Sequence, residues 1–204
     1  MKKLIALLLA AMFVMSAFAA CTGSNEPAGT EGTTEGTTAP AVTETSTQVL
    51  ENIWNAVAED SKFFVMGGNV ENVVDGKPGE YNMEYAENLT YNLLIPADQL
   101  ANVTEVGFVQ HGMIANNFTA GVVRVTSDVN AFADVMRDAI KGNMWMCGFP
   151  ETLVIQNIAD TYVLVAFGVN DAINPFMTYL VMLILIKKDL LGMTGVSICG
   201  GISH

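Results

Sequence analysis

The sequence predicts an α+β domain in which two or three helices pack on one face of a largely antiparallel sheet. Two observations support this fold class. Apolar residues recur at helical spacing near both ends of the region between residues 46 and 180, and strand-like segments separated by turns lie between them. The resulting order is helix, several strands, helix, hairpin and helix, and such an order favours α+β over a parallel α/β fold.

Three segments have the spacing of amphipathic helices. The first begins near Ser46, a plausible cap, and its apolar face consists of Val49, Leu50, Ile53, Trp54 and Val57. The second follows Ser127-Asp128, a typical helix start, and ends at Gly142-Asn143. The last is predicted to be capped by Asn170 or Asp171.

The strand-like segments are short runs rich in β-branched and aromatic residues, and Asp98 to Ala101 interrupts them as one helical turn. The predicted strands are Val70–Val74, Tyr81–Ile95, Val103–Gln110, Thr119–Thr126, Leu153–Ile158 and Thr161–Gly168. The last two form a hairpin around Ala159-Asp160.

The first twenty residues have the pattern of an export signal. Met1-Lys2-Lys3 is positively charged, Leu4 to Met15 is apolar, and small residues lead to Cys21. A cysteine in this position is what the bacterial lipoprotein-processing machinery modifies. We therefore expect residues 1–20 to be removed and Cys21 to carry a lipid that holds the protein on the extracytoplasmic face of the cell membrane. An unlipidated, secreted product is the alternative.

Residues 21–45 are expected to form a disordered tether. Residues 22–45 include eight Thr, four Gly and four Glu, and no aromatic or basic residue. Such a segment buries too little apolar surface to offset its ordering entropy. A single domain is predicted for residues 46–180.

Residues 181–204 form an atypical apolar tail. Phe176 to Ile186 is almost entirely apolar, but the run is shorter than the roughly 20 residues of a membrane-spanning helix. A buried helix, a membrane-seeking or partner-binding segment, and an altered reading frame in place of the native end are all consistent with it.

The charge of the chain excludes nucleic-acid binding. Without residues 1–20 the chain carries 21 acidic and 7 basic residues, a net charge of −14. A phosphate backbone would repel such a chain.

Export permits a disulfide between Cys147 and Cys199. The sequence is compatible both with this disulfide and with two free thiols.

The sequence contains no recognisable catalytic motif, so we predict that the protein is not an enzyme. G-x-S-x-G, S-x-x-K, P-loop and G-x-G-x-x-G patterns are all absent. His111 has no Ser, Cys or Asp partner at a spacing that would indicate a catalytic pair. It is interpreted as a polar residue where a strand enters a turn.

The segment Met144 to Pro150 is the most unusual in the chain. Two thioethers and a thiol, those of Met144, Met146 and Cys147, are soft ligands of the kind that Cu(I) prefers. With Trp145 and Phe149 the same residues would instead line a small apolar pocket or pack into the core. We predict no metal or cofactor, and name Met144, Trp145, Met146, Cys147 and Phe149 as a candidate ligand pocket.

Residues 49–180 resemble a family of small bacterial lipoproteins from Gram-positive gut bacteria whose domain has no assigned function. The resemblance is carried by the strand Ala120–Val125, the helix Val129–Lys141, the corner Phe149-Pro150-Glu151 and the strand Tyr162–Val165, followed by a helix that starts at Asp or Asn. It implies a lipoprotein and supplies no activity.

Together these features predict a lipid-anchored protein that binds or scaffolds at the cell envelope. Its expected partners are the membrane, through Cys21, and an envelope protein or a small molecule. A solute-binding accessory of a transporter and an envelope-acting enzyme without a recognisable motif are the alternatives.

Overall fold

The computed structural model describes residues 44–146, 149–178 and 180. The predicted signal, Cys21, nearly all of the tether and the apolar tail lie outside these residues. The α+β class with an antiparallel sheet is confirmed. No helix among the described residues has both the length and the hydrophobicity needed to cross a membrane.

Within the described residues, seven antiparallel strands form one sheet. They are β1 (Val65–Gly67), β2 (Val74–Asp75), β3 (Gly79–Glu80), β4 (Val103–His111), β5 (Phe118–Val125), β6 (Thr152–Ala159) and β7 (Tyr162–Gly168). Their order is β2-β1-β4-β5-β7-β6, and β3 also pairs with β4. The long central strands β4, β5 and β7 therefore place residues that are distant in sequence side by side.

The helices are α1 (Ser46–Ala56), α2 (Leu89–Asn92), α3 (Val129–Gly142) and α4, which begins at residue 170 and is described to residue 178 and at residue 180. Short 3-10 helices cover Glu59–Ser61, Met83–Asn88, Ala97–Asn102 and Ala115–Asn117. The predicted second helix, the helical turn at residues 98–101 and the hairpin at residues 153–168 are confirmed. The third helix also forms, but the prediction that Asn170 or Asp171 caps it was wrong, because residue 170 is already helical and the Asn170 side chain accepts a hydrogen bond from Thr152.

Helices cover both faces of the sheet. Val163, Val165 and Phe167 of β7 pack in the cluster that contains α3, whereas the alternate residues of β7 pack in the cluster that contains α1 and α4. We call these sides the α3 face and the α1 face. Two helices thus share one face as predicted, but α3 lies on the opposite face. The physical reason is that the central strands are apolar on both sides, so each side must be covered.

The cap of α1 is Thr45, and the prediction of Ser46 was wrong. The Thr45 hydroxyl accepts a hydrogen bond from the Gln48 N–H at 3.2 Å, and the Gln48 side chain accepts one from the Thr45 N–H at 2.9 Å. Ser46 is instead buried, and its N–H donates to a Glu105 carboxylate oxygen at 2.6 Å. The chain therefore enters the domain beside the first residues of β4.

The predicted strand Tyr81–Ile95 was wrong, because this segment folds into helical turns. The Asn82 side chain accepts a hydrogen bond from the Glu84 N–H at 3.0 Å and starts the 3-10 helix, and α2 follows directly. Leu89 and Leu93, one helical turn apart, are both fully buried.

The predicted strand Val70–Val74 was also wrong over most of its length. The Asn69 N–H donates to the Asn72 side chain at 3.0 Å, and the Asn69 side chain accepts from the Glu71 N–H at 3.3 Å. These side chains hold a turn, a common role of asparagine, and the two strands form on either side of it as β1 and β2.

Candidate binding cleft

A cleft opens on the α3 face at one end of the sheet, with a cavity volume of about 300 Å³. Its floor is one cross-strand row, Gln110 of β4, Thr119 of β5 and Phe167 of β7. Gln110 pairs with Thr119, and Thr119 pairs with Phe167. Directly paired residues point to the same face of a sheet, so the register alone brings these three side chains together.

Thr119 also holds the end of the cleft in place. Its side chain is almost fully buried, and its hydroxyl donates to the carbonyl oxygen of Ala115 at 3.0 Å. Ala115 and Asn116 belong to the 3-10 turn between β4 and β5, and both line the cleft. The floor is therefore tied directly to the end wall.

The first side wall is the C-terminal end of α2, with lining residues Tyr91, Asn92 and Leu94. Leu94 adopts the left-handed conformation with φ of 59°, which is costly for a residue with a Cβ. The conformation turns the chain, and the Ile95 N–H then reaches back to the Leu89 carbonyl at 3.1 Å. A left-handed residue just after a helix is usually glycine.

A glycine in β5 lets this wall approach the sheet. A Cβ at Gly121 would lie 2.7 Å from Cδ2 of the buried Leu93. Leu93 therefore occupies the space where other residues would have a side chain. This contact holds α2, and Tyr91 with it, close above the floor.

Asn92 is oriented by a buried tyrosine. Its side-chain N–H donates to the Tyr81 hydroxyl oxygen at 2.9 Å, which leaves the amide oxygen of Asn92 as the remaining acceptor. Burial raises the pKa of the Tyr81 hydroxyl above its ordinary value, and the hydrogen bond from Asn92 partly opposes that change.

The second side wall follows the end of α3. Asn143 ends the helix, and Trp145 then packs on Phe167 of the floor with ring centroids 5.4 Å apart and planes at 60°. Met144 and Met146, on either side of Trp145, are 90% and 93% exposed. One residue of the segment is thus fixed against the sheet while its two neighbours project into solvent.

The structure brings three of the five predicted pocket residues together. Met144, Trp145 and Met146 line the cleft, whereas Phe149 is 72% exposed and is not among its lining residues. Cys147 lies outside the described residues. Whether the segment binds a ligand stays a prediction.

The residues of the other wall and the floor were not identified from the sequence. Tyr91, Asn92 and Leu94 lie in a segment predicted as a strand, and Gln110 and Thr119 were assigned only to strands. The one local signal for this wall was the pair Leu89 and Leu93 at helical spacing, which would have identified α2.

The His111 side chain stabilises the turn beside the cleft. Its Nδ1 accepts hydrogen bonds from the backbone N–H groups of Met113 at 3.1 Å and Ile114 at 3.2 Å, and its ring stacks on Phe63. This fits the predicted role of a polar residue at a strand end. In the described part of the chain, no cluster of three or more His, Cys, Asp and Glu side chains is arranged to hold a metal ion.

The cleft lies at the end of the sheet opposite to the chain entry. The Tyr162 hydroxyl, at the start of β7, donates to the Glu44 carbonyl at 2.9 Å, and Glu105 near the start of β4 holds Ser46. Gln110 is five residues further along β4, a rise of about 17 Å. The N-terminal segment therefore joins the domain well away from the cleft.

No protein-family model, curated protein or solved structure matches this chain.

Proposed function

We propose that this protein is a binding domain of the cell envelope, held on the extracytoplasmic face of the membrane by a lipid on Cys21. Its cleft between α2 and the end of α3 captures the ligand. The observation that carries the proposal is the position of the cleft, which lies at the opposite end of the sheet from the point where the chain enters the domain.

This arrangement suits a tethered receptor. The tether predicted for residues 21–45 reaches the domain at Glu44 and Ser46, at the end of the sheet opposite to the cleft. We therefore expect the entry end of the sheet to lie nearer the bilayer than the cleft. A ligand approaching from the envelope would meet the cleft before it met the bilayer.

The lining of the cleft supports binding over catalysis. Among the residues that the structure describes, the twelve that line the cleft include no Asp, Glu, His, Lys, Arg or Cys. The Thr119 hydroxyl is buried and already donates to a carbonyl. Apart from the Tyr91 hydroxyl, the remaining side chains are amides, thioethers and apolar groups, which bind ligands well but do not usually act as general acids, bases or nucleophiles.

The anchor is tested by Cys21→Ala in the producing cell. We expect the variant to leave the membrane fraction, whereas Cys199→Ala, which also removes one thiol, stays with it. The measurement is the distribution of the protein between sedimented membranes and supernatant. Membrane retention of Cys21→Ala would contradict the anchor.

The orientation is tested with the lipidated protein in vesicles. A fluorophore is attached at Met144→Cys, beside the cleft, or at Asp160→Cys, the exposed hairpin turn at the entry end, with Cys147 and Cys199 changed to Ser in both. Lipids that carry a quencher should reduce the fluorescence of the label at position 160 more than that of the label at position 144. Equal quenching, or stronger quenching at position 144, refutes the outward orientation.

A further inference from the structure

We infer that the ligand of the cleft is an uncharged carbohydrate. This inference rests on the proposed function and names the class of molecule that the cleft takes. It follows from three properties of the lining, namely its lack of charge, the placement of its aromatic rings and its unpaired amides.

The lining is uncharged in a strongly charged protein. No acidic or basic side chain is among the twelve lining residues in the described part of the chain, although the full sequence has 30 such residues. A charged ligand would lose its hydration on entering the cleft and find no opposite charge to replace it. An anionic ligand would in addition be repelled by the net negative charge of the protein. The ligand class is therefore neutral.

Aromatic rings stand on both side walls. Tyr91 on the α2 wall is 83% exposed, and Trp145 on the α3 wall is held in position by Phe167. A sugar ring presents C–H groups on its faces and hydroxyls around its edge, so a flat aromatic ring matches its face. Rings on two opposite walls match a ligand that is apolar on both faces and polar at the edge.

Amides complete the match at the edge of the ligand. Within the described residues, the side-chain amides of Gln110 and Asn143 make no hydrogen bond, and both line the cleft. An amide both donates and accepts, as does a sugar hydroxyl, so one amide can serve two neighbouring hydroxyls. The amide oxygen of Asn92 adds a further acceptor.

The size and shape of the cleft set the length of the ligand. A volume of about 300 Å³ is at the lower limit of small-molecule sites. The cleft is open to solvent on one side, so a longer chain can extend beyond it. We therefore expect one or two sugar rings to be bound between Tyr91 and Trp145, with the rest of an oligosaccharide outside.

The test uses intrinsic fluorescence, because the two tryptophans differ in position. Trp145 lines the cleft and Trp54 is buried in the α1 face. The full-length protein in a zwitterionic detergent is titrated with maltotriose, cellotriose and the N-acetylglucosamine trimer. We expect at least one trimer to cause a saturable change in emission that Trp145→Phe abolishes.

Two controls address the chemistry. Tyr91→Ala should weaken binding by about tenfold, while Phe64→Ala, which removes an exposed aromatic ring outside the lining, should leave it unchanged. The glucosamine trimer, which differs from the N-acetylglucosamine trimer in carrying free amines, should bind at least tenfold more weakly. Tighter binding of that cationic trimer overturns the inference.

A panel of capped, uncharged tripeptides separates this inference from the proposed function. If a tripeptide changes Trp145 emission and no saccharide does, the carbohydrate assignment is wrong and the binding function stands. If neither class has any effect on Trp145, the carbohydrate assignment is again refuted. Partitioning of Cys21→Ala then decides independently whether the anchored location also fails.

Discussion

Gly121→Ala should destabilise the domain and displace the α2 wall of the cleft. The added Cβ would lie 2.7 Å from Cδ2 and 3.2 Å from Cδ1 of Leu93, and 3.4 Å from the Gly107 carbonyl oxygen. A contact of 2.7 Å between carbon atoms is far inside their optimal separation of about 3.5–4.0 Å. Because Leu93 is fully buried, its side chain has little room to move away.

The magnitude follows from two opposing terms. Inserting a methyl group into a packed core costs about 1–3 kcal/mol. Replacing glycine in a strand recovers about 0.5–1 kcal/mol of backbone entropy. With about 2 kcal/mol for the first term and about 0.75 kcal/mol for the second, the net loss in the free energy of unfolding is about 1 kcal/mol. Such a loss lowers the melting temperature by roughly 4 °C in a domain of this size.

The assay is urea unfolding followed by circular dichroism, with Gly142→Ala as the matched control. A Cβ at Gly142 meets no atom within 4 Å, and this glycine is the last residue of α3. The control should gain up to about 1 kcal/mol from higher helix propensity. Leu93→Ala should cost less in the Gly121→Ala background than alone, because it removes the clash as well as the packing. Unchanged or increased stability of Gly121→Ala would refute the account of this wall.

Three further changes have defined outcomes. Thr45→Ala removes the side-chain cap of α1 and should lower the free energy of unfolding by about 1 kcal/mol in urea titrations. Burial raises the pKa of Tyr81 above 10.0, so its stabilising contribution is complete below about pH 10 and declines as the pH rises through the folded-state pKa. Tyr81→Phe should therefore reduce the loss of the free energy of unfolding at alkaline pH. Hydrogen peroxide should oxidise the exposed Met144 and Met146 well before the fully buried Met136, as measured by peptide mass spectrometry.

Each of these three predictions has a control or a contradicting outcome. Thr45→Ser keeps the capping oxygen and should behave like the wild type, whereas a loss as large as that of Thr45→Ala would contradict the cap. If Tyr81→Phe and the wild type lose the same free energy of unfolding at alkaline pH, the role of Tyr81 burial is contradicted. Early oxidation of Met136 in folded protein would contradict its packing.

Local chemistry was sufficient to predict several elements. Asp128 accepts hydrogen bonds from the N–H groups of Asn130 and Ala131, so the start of α3 depends on residues adjacent in sequence. The hairpin β6–β7 likewise depends on a short turn between two runs rich in apolar residues. In contrast, residues 81–95 mix aromatic, Leu and polar residues without a clear period. In the structure, this segment forms helical turns that begin at the Asn82 cap.

The sequence indicated one of the two walls of the candidate cleft. Met144, Trp145 and Met146 were notable for their composition, and the structure places all three in one wall. The opposite wall lies about fifty residues earlier in the chain. Its position over the floor depends on the contact between Leu93 and Gly121, which no local pattern predicts.

The sequence alone determined the fold class, α3 and the β6–β7 hairpin, because caps, turns and hydrophobic periods act over a few residues. It also predicts the lipid anchor at Cys21 without reference to the fold. Only the tertiary structure decided that helices cover both faces, and that Gln110, Thr119 and Phe167 form one floor. These features depend on strand order and register, which are set by pairing between distant segments and by the packing of two apolar faces at once.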